Sequence, residues 1–116
     1  MFVTVELNEE IAINTAVNYN AETQKWVIAN NTDQVIGVVK STFKTDDEKW
    51  MGRVGISGLD CYMIADREIP VDGGFMHVQN GRVYVDNSSM GCGIISPQNI
   101  GEASRNANDL ILVHLR

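Results

Sequence analysis

The two cysteines and two histidines of this sequence, Cys61, Cys92, His77 and His114, could ligate a metal ion or form a cysteine–histidine nucleophile pair. A structural zinc site needs four such ligands, usually in closely spaced pairs, and here no two of them are near neighbours in the chain. A cysteine nucleophile needs an adjacent histidine and a third group to orient the ring, and no local motif supplies them. We therefore expect no metal site, no cofactor and no enzymatic activity.

These four residues then need a structural explanation. Two reduced thiols, buried as small apolar side chains, are the simpler interpretation of Cys61 and Cys92, and a disulfide is the alternative in oxidising surroundings. His77 and His114 each lie between apolar residues in strand-like sequence. We expect both histidines to point outward from their strands.

A run of three carboxylates, Asp46, Asp47 and Glu48, is a further candidate for binding a cation. Hard cations are held by clustered oxygen ligands, but calcium loops space these ligands at alternate positions and include a glycine. The present run is consecutive and lies between Lys44 and Lys49. We expect a solvated loop here.

The composition is that of one folded domain with an acidic balance. The chain has 116 residues, of which 44% are apolar, and a formal net charge of −6 at pH 7. Its nine lysines and arginines are scattered along the chain, whereas nucleic acid or an anionic membrane requires clustered positive charge. No apolar run approaches the roughly 20 residues that span a bilayer, and the N-terminus lacks the basic start of a signal peptide. We expect neither nucleic acid nor membrane as a partner.

The elements that must position these residues are β-strands. Residues 70–85 give the clearest signal, because Asn80-Gly81 between two apolar runs predicts a hairpin with a type I′ turn and an exposed Asn80. Further strands are predicted at residues 2–7, 25–29, 35–39, 50–57, 61–65, 91–95 and 110–115. The best helical candidate, residues 101–108, is short and contains one glycine and two asparagines. These patterns predict an all-β fold, a small barrel or sandwich of short strands with little or no helix.

The chain also resembles itself. Residues 25–39 align without gaps on residues 81–95 at an offset of 56, and flanking segments match at similar offsets. We interpret the chain as a single domain of two pseudo-repeats, residues 1–57 and 58–116, that form one pseudo-twofold barrel with a shared core, because a unit of this size buries too little surface alone. The alternative is that short strands with Asn and Gly turns always resemble one another.

Two long polar loops are predicted at residues 41–49 and 97–109. Each contains one apolar residue, Phe43 in the first and Ile100 in the second. Such a residue either packs back onto its own core or anchors a neighbouring molecule, and the sequence favours neither. Phe43, Ile100 and Trp50, the residue after the first loop, are our candidates for contacts with another copy or a partner.

Several short segments together resemble a known family, the small capsid-decoration (head-stabilising) proteins of tailed bacteriophages related to the lambda decoration protein. The resemblance covers most of the chain and depends on Gly37, Ile69, Gly73, Gly74, Gly81, Val83, Gly93 and the closing ILVHLR strand. It implies a non-enzymatic virion protein, assembled in the host cytoplasm, that binds the capsid exterior as a homotrimer at local threefold sites. The implied partners are the major capsid protein and further copies of the chain.

In that family an N-terminal segment adds to a strand of the coat protein. The role would fall here on Phe2, Val3, Thr4, Val5 and Glu6, whose alternation suits strand addition. This chain lacks the long flexible arm of the family and begins directly in strand-like sequence, which leaves open that the segment belongs to the folded domain. A carbohydrate-binding or receptor-contacting β-module is the alternative function, with aromatic stacking faces supplied by Trp26, Trp50, Tyr62 and Tyr84.

Overall fold

The computed structural model describes residues 1–116 and contains ten strands and no helix. The strands form two five-stranded antiparallel sheets that pack together as a sandwich. The prediction of an all-β fold is thus confirmed, as a sandwich and not a closed barrel. The strands are β1 (Phe2–Glu6), β2 (Ala16–Asn20), β3 (Lys25–Ile28), β4 (Ile36–Lys44), β5 (Trp50–Ile56), β6 (Asp60–Ile64), β7 (Gly74–Gln79), β8 (Arg82–Val85), β9 (Gly93–Ile95) and β10 (Leu110–Leu115).

Each half of the chain forms one of the sheets, and the strand orders correspond. The first sheet has the order β1-β5-β4-β2-β3, and the second has the order β6-β10-β9-β7-β8. The registers correspond as well: Gly37 pairs with Ile56 in the first sheet, and Gly93 pairs with Leu115 in the second. Each residue of the first sheet therefore has a definite counterpart in the second.

The structural counterparts differ by one residue from the gapless alignment in β3. An isolated parallel bridge joins Leu7 to Trp26 in the first half, and its counterpart joins Ala65 to Val83 in the second. Trp26 therefore corresponds to Val83 and not to Arg82. Because side chains alternate between the faces of a strand, a shift of one residue would exchange a buried position for an exposed one. Trp26 and Val83 are both buried, whereas Arg82 is exposed.

The hydrophobic core has two parts. The smaller part, which we call the first-half cluster, lies within the first half and consists of Leu7, Ile11, Val17, Trp26, Val39 and Val54. The larger part, the main cluster, contains 15 buried residues. Most of these come from the second half, but the first half contributes Ala16, Ala29, Ile36 and Val38. The main cluster therefore joins the two halves into one domain.

The hairpin of β7 and β8 is the second link between the halves. Asn80 and Gly81 have φ angles of 50° and 76°, as the predicted type I′ turn requires, and Asn80 is exposed as predicted. Gly81, however, is buried against the first half. Its N–H donates to the Ala29 carbonyl and its carbonyl accepts from the Ala16 N–H, both at 2.8 Å. The turn is thus an internal contact between the halves.

This contact is one-sided, which corrects the expected pseudo-twofold arrangement. Under a twofold axis, the β2–β3 turn of the first half would make the same contact with the second half. Instead, residues 21–24 of that turn are all exposed, and the Gln24 N–H donates to the Asn20 carbonyl of its own hairpin. The two halves are therefore arranged head to tail.

Of the loop predicted at residues 41–49, residues 41–44 belong to β4, and residues 45–49 form the turn before β5. β4 continues to Lys44 through an irregularity between Val39 and Ser41, and Phe43 pairs with Met51 across the β4–β5 hairpin. The segment looked like a loop because its side chains are largely exposed and polar. Residues 97–109 do form an irregular connection, and the helical candidate at residues 101–108 is not a helix.

Candidate functional site

The N-terminal segment predicted to contact a partner is an edge strand. Residues Phe2 to Glu6 form β1, which pairs along its whole length with β5 and has no strand on its other side. Val3 and Val5 pack against the first-half cluster. Phe2 and Thr4 are exposed, and the Arg53 guanidinium lies 5.1 Å from the centre of the Phe2 ring. The segment is therefore folded into the domain and not a free arm.

The hydrogen bonds show which backbone groups of this edge are open. The Leu7 N–H donates to the Trp50 carbonyl at 2.9 Å, so the odd-numbered residues of β1 turn their backbone groups toward β5. Phe2, Thr4 and Glu6 turn theirs toward the outer edge. This edge begins to close at Glu6, whose carboxylate pairs with a β3 lysine at 3.3 Å. Phe2 and Thr4 therefore offer open strand donors and acceptors.

The three apolar candidates near the connections differ in exposure. Phe43 is half exposed on β4, and Ile100 is fully exposed in the long connection between β9 and β10. Trp50 is half-buried against the first-half cluster, with the Lys44 ammonium 5.7 Å from its ring centre. Phe43 and Ile100 remain free to contact another molecule, whereas Trp50 is largely part of its own fold.

The aromatic residues proposed as sugar-stacking faces are mostly covered. Trp26 is only 9% exposed and belongs to the first-half cluster. Tyr84 is half-buried between the ring of His77 and the Arg67 guanidinium, whose carbon lies 4.1 Å from the ring centre. Tyr62 is 53% exposed. A stacking platform built from these residues is thus reduced to one open ring.

The expectation of outward-pointing histidines is wrong for His77, which is covered, whereas His114 lies on the outer face of its strand as expected. His77 is buried, and its Nε2 lies 2.9 Å from the Asp86 carbonyl. His114 is half-buried, with Nδ1 2.6 Å from Oδ1 of Asp60 and Nε2 2.9 Å from Oγ of Ser96. Ser96, His114 and Asp60 therefore form a continuous hydrogen-bond chain on the outer face of the second sheet.

This chain of side chains borders a cavity of about 220 Å³. Ser96 lines the cavity, together with the apolar side chains of Tyr62, Leu110 and Leu112 on the same face of the sheet. The other wall belongs to the connection between β9 and β10 and includes Arg105. A serine bonded to a histidine beside a cavity with one apolar wall is the arrangement in this molecule that most resembles a reactive centre.

This cluster was not predicted, because its members lie far apart in the chain. Asp60, Ser96 and His114 come from β6, the residue after β9, and β10, and adjacent strands bring them together. The signal that could have found them is the repeat itself. When residues 50–57 are aligned with the last strand, His114 corresponds to Gly55. A histidine at a position that a glycine occupies in the other repeat is not needed for the fold and could have indicated a function.

The cysteines are free, and no disulfide joins them. Cys61 is buried and Cys92 is half-buried. Burial raises the pKa of Cys61, and burial raises the pKa of Cys92 to about 11. Both thiols are thus held in the protonated, weakly nucleophilic form at neutral pH.

The acidic run is part of the tight turn between β4 and β5. The Thr45 hydroxyl donates to the Asp47 carboxylate, and the Lys49 ammonium lies 3.6 Å from it. The hydrogen bond from Thr45 lowers the pKa of Asp47. No group of three or more His, Cys, Asp or Glu side chains in the molecule is arranged to hold a metal ion.

No protein-family model, curated protein sequence or solved structure matches this chain. The molecule has no helix that is long and apolar enough to cross a membrane.

Proposed function

We propose that this chain is a structural virion protein that binds the outer surface of a phage capsid and stabilises it, as a homotrimer at local threefold sites. The observation that carries the proposal is the open edge of β1. An edge strand with unpaired backbone groups is a ready template for a strand of another chain. The family resemblance of the sequence assigns capsid contact to the same segment.

The chemistry of the β1 edge suits strand addition. An added strand would hydrogen-bond with the outward N–H and C=O groups of Phe2 and Thr4, leaving the ladder between β1 and β5 intact. The exposed Phe2 ring supplies apolar contact area beside those hydrogen bonds. Each of these hydrogen bonds contributes about 1 kcal/mol net to the contact. Because the protein would bind the assembled shell and not its separated subunits, binding at many sites stabilises the shell by mass action.

The trimer is supported by apolar side chains that the single chain leaves exposed. Phe43, Ile94 and Ile100 are all exposed at 45% or more. Scattered apolar exposure is normal, but such residues in both halves of the chain give surface that self-association can cover.

Thr4→Pro tests the proposed edge contact. Proline removes the outward N–H of Thr4 without removing a hydrogen bond to β5, so the fold should persist while strand addition is blocked. We expect capsid affinity to fall by about tenfold or more, the equivalent of roughly 1.4 kcal/mol. The measurement is co-sedimentation with mature capsids of the phage whose genome encodes the chain.

Tyr62→Pro is the matched control, because Tyr62 is the counterpart of Thr4 on β6, the edge strand of the second sheet. This variant should retain capsid binding. Equal losses in both variants would contradict a contact through β1. Sedimentation equilibrium should give three times the chain mass of 12.8 kDa, and a monomer without capsid affinity that binds glycans would support the carbohydrate-binding alternative instead.

A further inference from the structure

The hydrogen-bond chain of Ser96, His114 and Asp60 is held by strand register. His114 on β10 pairs directly with Asp60 on β6 and with Ile94 on β9. Ser96 lies two residues beyond Ile94, on the same face of the sheet. Three different segments therefore supply the three side chains, and the sheet fixes their order.

The fold itself does not demand these residues. By register, the counterparts of Asp60 and His114 in the first sheet are Phe2 and Gly55, and the counterpart of Ser96 is Lys40. The first half thus builds the same strands with an aromatic ring packed over a glycine. The polar chain in the second half is an addition to the shared architecture.

The geometry is that of an activated hydroxyl. Ser96 Oγ lies 2.9 Å from His114 Nε2, within reach for transfer of its proton to the ring. His114 Nδ1 lies 2.6 Å from the Asp60 carboxylate, which favours the ring tautomer with a proton on Nδ1 and leaves Nε2 as the acceptor. Asp60 therefore acts as a positioning residue for the ring.

A buried guanidinium lies at the same cavity. Arg105 is 9% exposed, and its two terminal nitrogens donate to the carbonyls of Ser96 at 2.8 Å and Pro70 at 2.9 Å. No carboxylate pairs with it, and its Nε is buried without a hydrogen-bond partner. The Arg105 charge beside Ser96 stabilises negative charge that develops in the cavity. It must do so against Glu102, which also lines the cavity and whose carboxylate accepts from the Asn99 N–H.

The usual backbone donor to such a negative charge is absent, because Pro97 follows Ser96 and has no N–H. Stabilisation of an oxyanion must therefore come from side chains. The Arg105 charge and the Asn99 side chain, which also lines the cavity, are the available groups. The apolar wall of Tyr62, Leu110 and Leu112 suits a short acyl chain.

We propose that this site hydrolyses small carboxylic esters with short apolar acyl groups, through an acyl-serine intermediate. Ser96 Oγ attacks the ester carbonyl carbon while its proton passes to His114 Nε2. The tetrahedral intermediate collapses, the ester C–O bond breaks, and the same proton leaves with the alcohol. Water then attacks the acyl-serine with His114 as base, which releases the carboxylic acid and restores the Ser96 hydroxyl.

The test uses the full chain with p-nitrophenyl butyrate as substrate and a fluorophosphonate as a covalent serine probe. Wild-type protein should release p-nitrophenol above the buffer rate and take up one phosphonyl group, which peptide mass spectrometry should place on Ser96. Ser96→Ala should lose the label and lower kcat by about 100-fold or more. Ser104→Ala, an exposed serine in the same connection, is the matched control and should match the wild type.

Two further variants separate the roles of the partners. His114→Gln should slow labelling of Ser96, because the hydroxyl loses its base. Asp60→Asn should lower kcat with little change in KM, and Asp60→Glu should restore part of the rate, as expected of a positioning residue. Thermal unfolding of each variant is the check that its fold is retained.

Hydrolysis at the buffer rate by wild-type protein, unchanged activity of Ser96→Ala, or labelling elsewhere than Ser96 would each overturn the proposal. The proposed capsid contact lies on β1 of the first sheet and the proposed ester site lies on the second sheet, so either test can fail without the other.

Discussion

The two halves of this molecule share one strand order, but the corresponding face of the sheet is buried in the first half and partly open to solvent in the second. In the first half, Ala16, Ile36 and Val38 are fully or almost fully buried because the second half covers them. Their counterparts by register, Phe75, Cys92 and Ile94, are half-buried or exposed. Burial here therefore follows from the position of each half in a head-to-tail pair and not from the repeat unit alone.

Two equivalent asparagines show how a backbone N–H group of the second half finds a hydrogen-bond acceptor although no other half packs against it. Asn30 and Asn87 occupy equivalent places after β3 and β8. The Asn30 side-chain oxygen accepts from the Asn80 N–H of the other half at 2.8 Å. The Asn87 oxygen turns inward and accepts from the Phe75 N–H at 2.9 Å, the counterpart of the Ala16 N–H that Gly81 satisfies. Asn87 thus replaces a neighbour that the second half lacks.

The largest expected effect comes from breaking the contact between the halves with Gly81→Ala. Gly81 has positive φ, and an added Cβ would lie 2.4 Å from the Thr15 methyl group and 3.0 Å from Ile28. Left-handed backbone costs about 1–2 kcal/mol for an alanine, and overpacking costs about 1–3 kcal/mol more. We expect the free energy of unfolding in urea to fall by about 2–5 kcal/mol.

Gly58→Ala is the control for this variant, because Gly58 also has positive φ but nothing lies within 4 Å of its added Cβ. It should incur only the backbone cost of about 1–2 kcal/mol. Equal losses in the two variants would show that the turn does not support the first half.

The β7–β8 hairpin shows which features could be predicted from the sequence and which could not. The Asn80-Gly81 turn was predicted correctly because its geometry depends on the two residues themselves. Its docking against Thr15 was not predicted, because that contact joins segments far apart in the chain. The same limit applies to Ser96, His114 and Asp60, which only the sheet register brings together.

β2 was missed for a different reason. Its central residue, Asn18, is polar and breaks the apolar pattern, yet it is buried. The Asn18 side chain accepts from the N–H groups of Asn30 and Asn31 and donates to the carbonyls of Asn31 and Val35. A polar residue whose hydrogen bonds are all satisfied can occupy a strand interior, and a pattern of apolar residues cannot show this. His77 is its counterpart in the second half and also bonds the loop that follows.

A smaller effect should separate the two asparagines. Asn30→Ala removes the acceptor of the Asn80 N–H, and Asn87→Ala removes the acceptor of the Phe75 N–H. Each change should cost about 1 kcal/mol. Amide hydrogen exchange should show faster exchange at Asn80 in the first variant and at Phe75 in the second. Faster exchange at both amides in either variant would contradict the separate roles of the two side chains.

The effect that is smallest at neutral pH, and that grows only in alkaline solution, concerns Cys92, the counterpart of the buried Ile36. Burial raises the pKa of the folded Cys92 thiol to about 11, from a value of 9.0 without burial. Between these pH values the folded chain holds a proton that the unfolded chain has lost, so stability must fall as pH rises from about 9 to about 11. Cys92→Ala removes the titrating group and should flatten this part of the curve relative to the wild type. Urea unfolding at pH 8, 9, 10 and 11 measures the difference, and parallel curves for the two proteins would mean that the open face of the second half leaves Cys92 as solvated as in the unfolded chain.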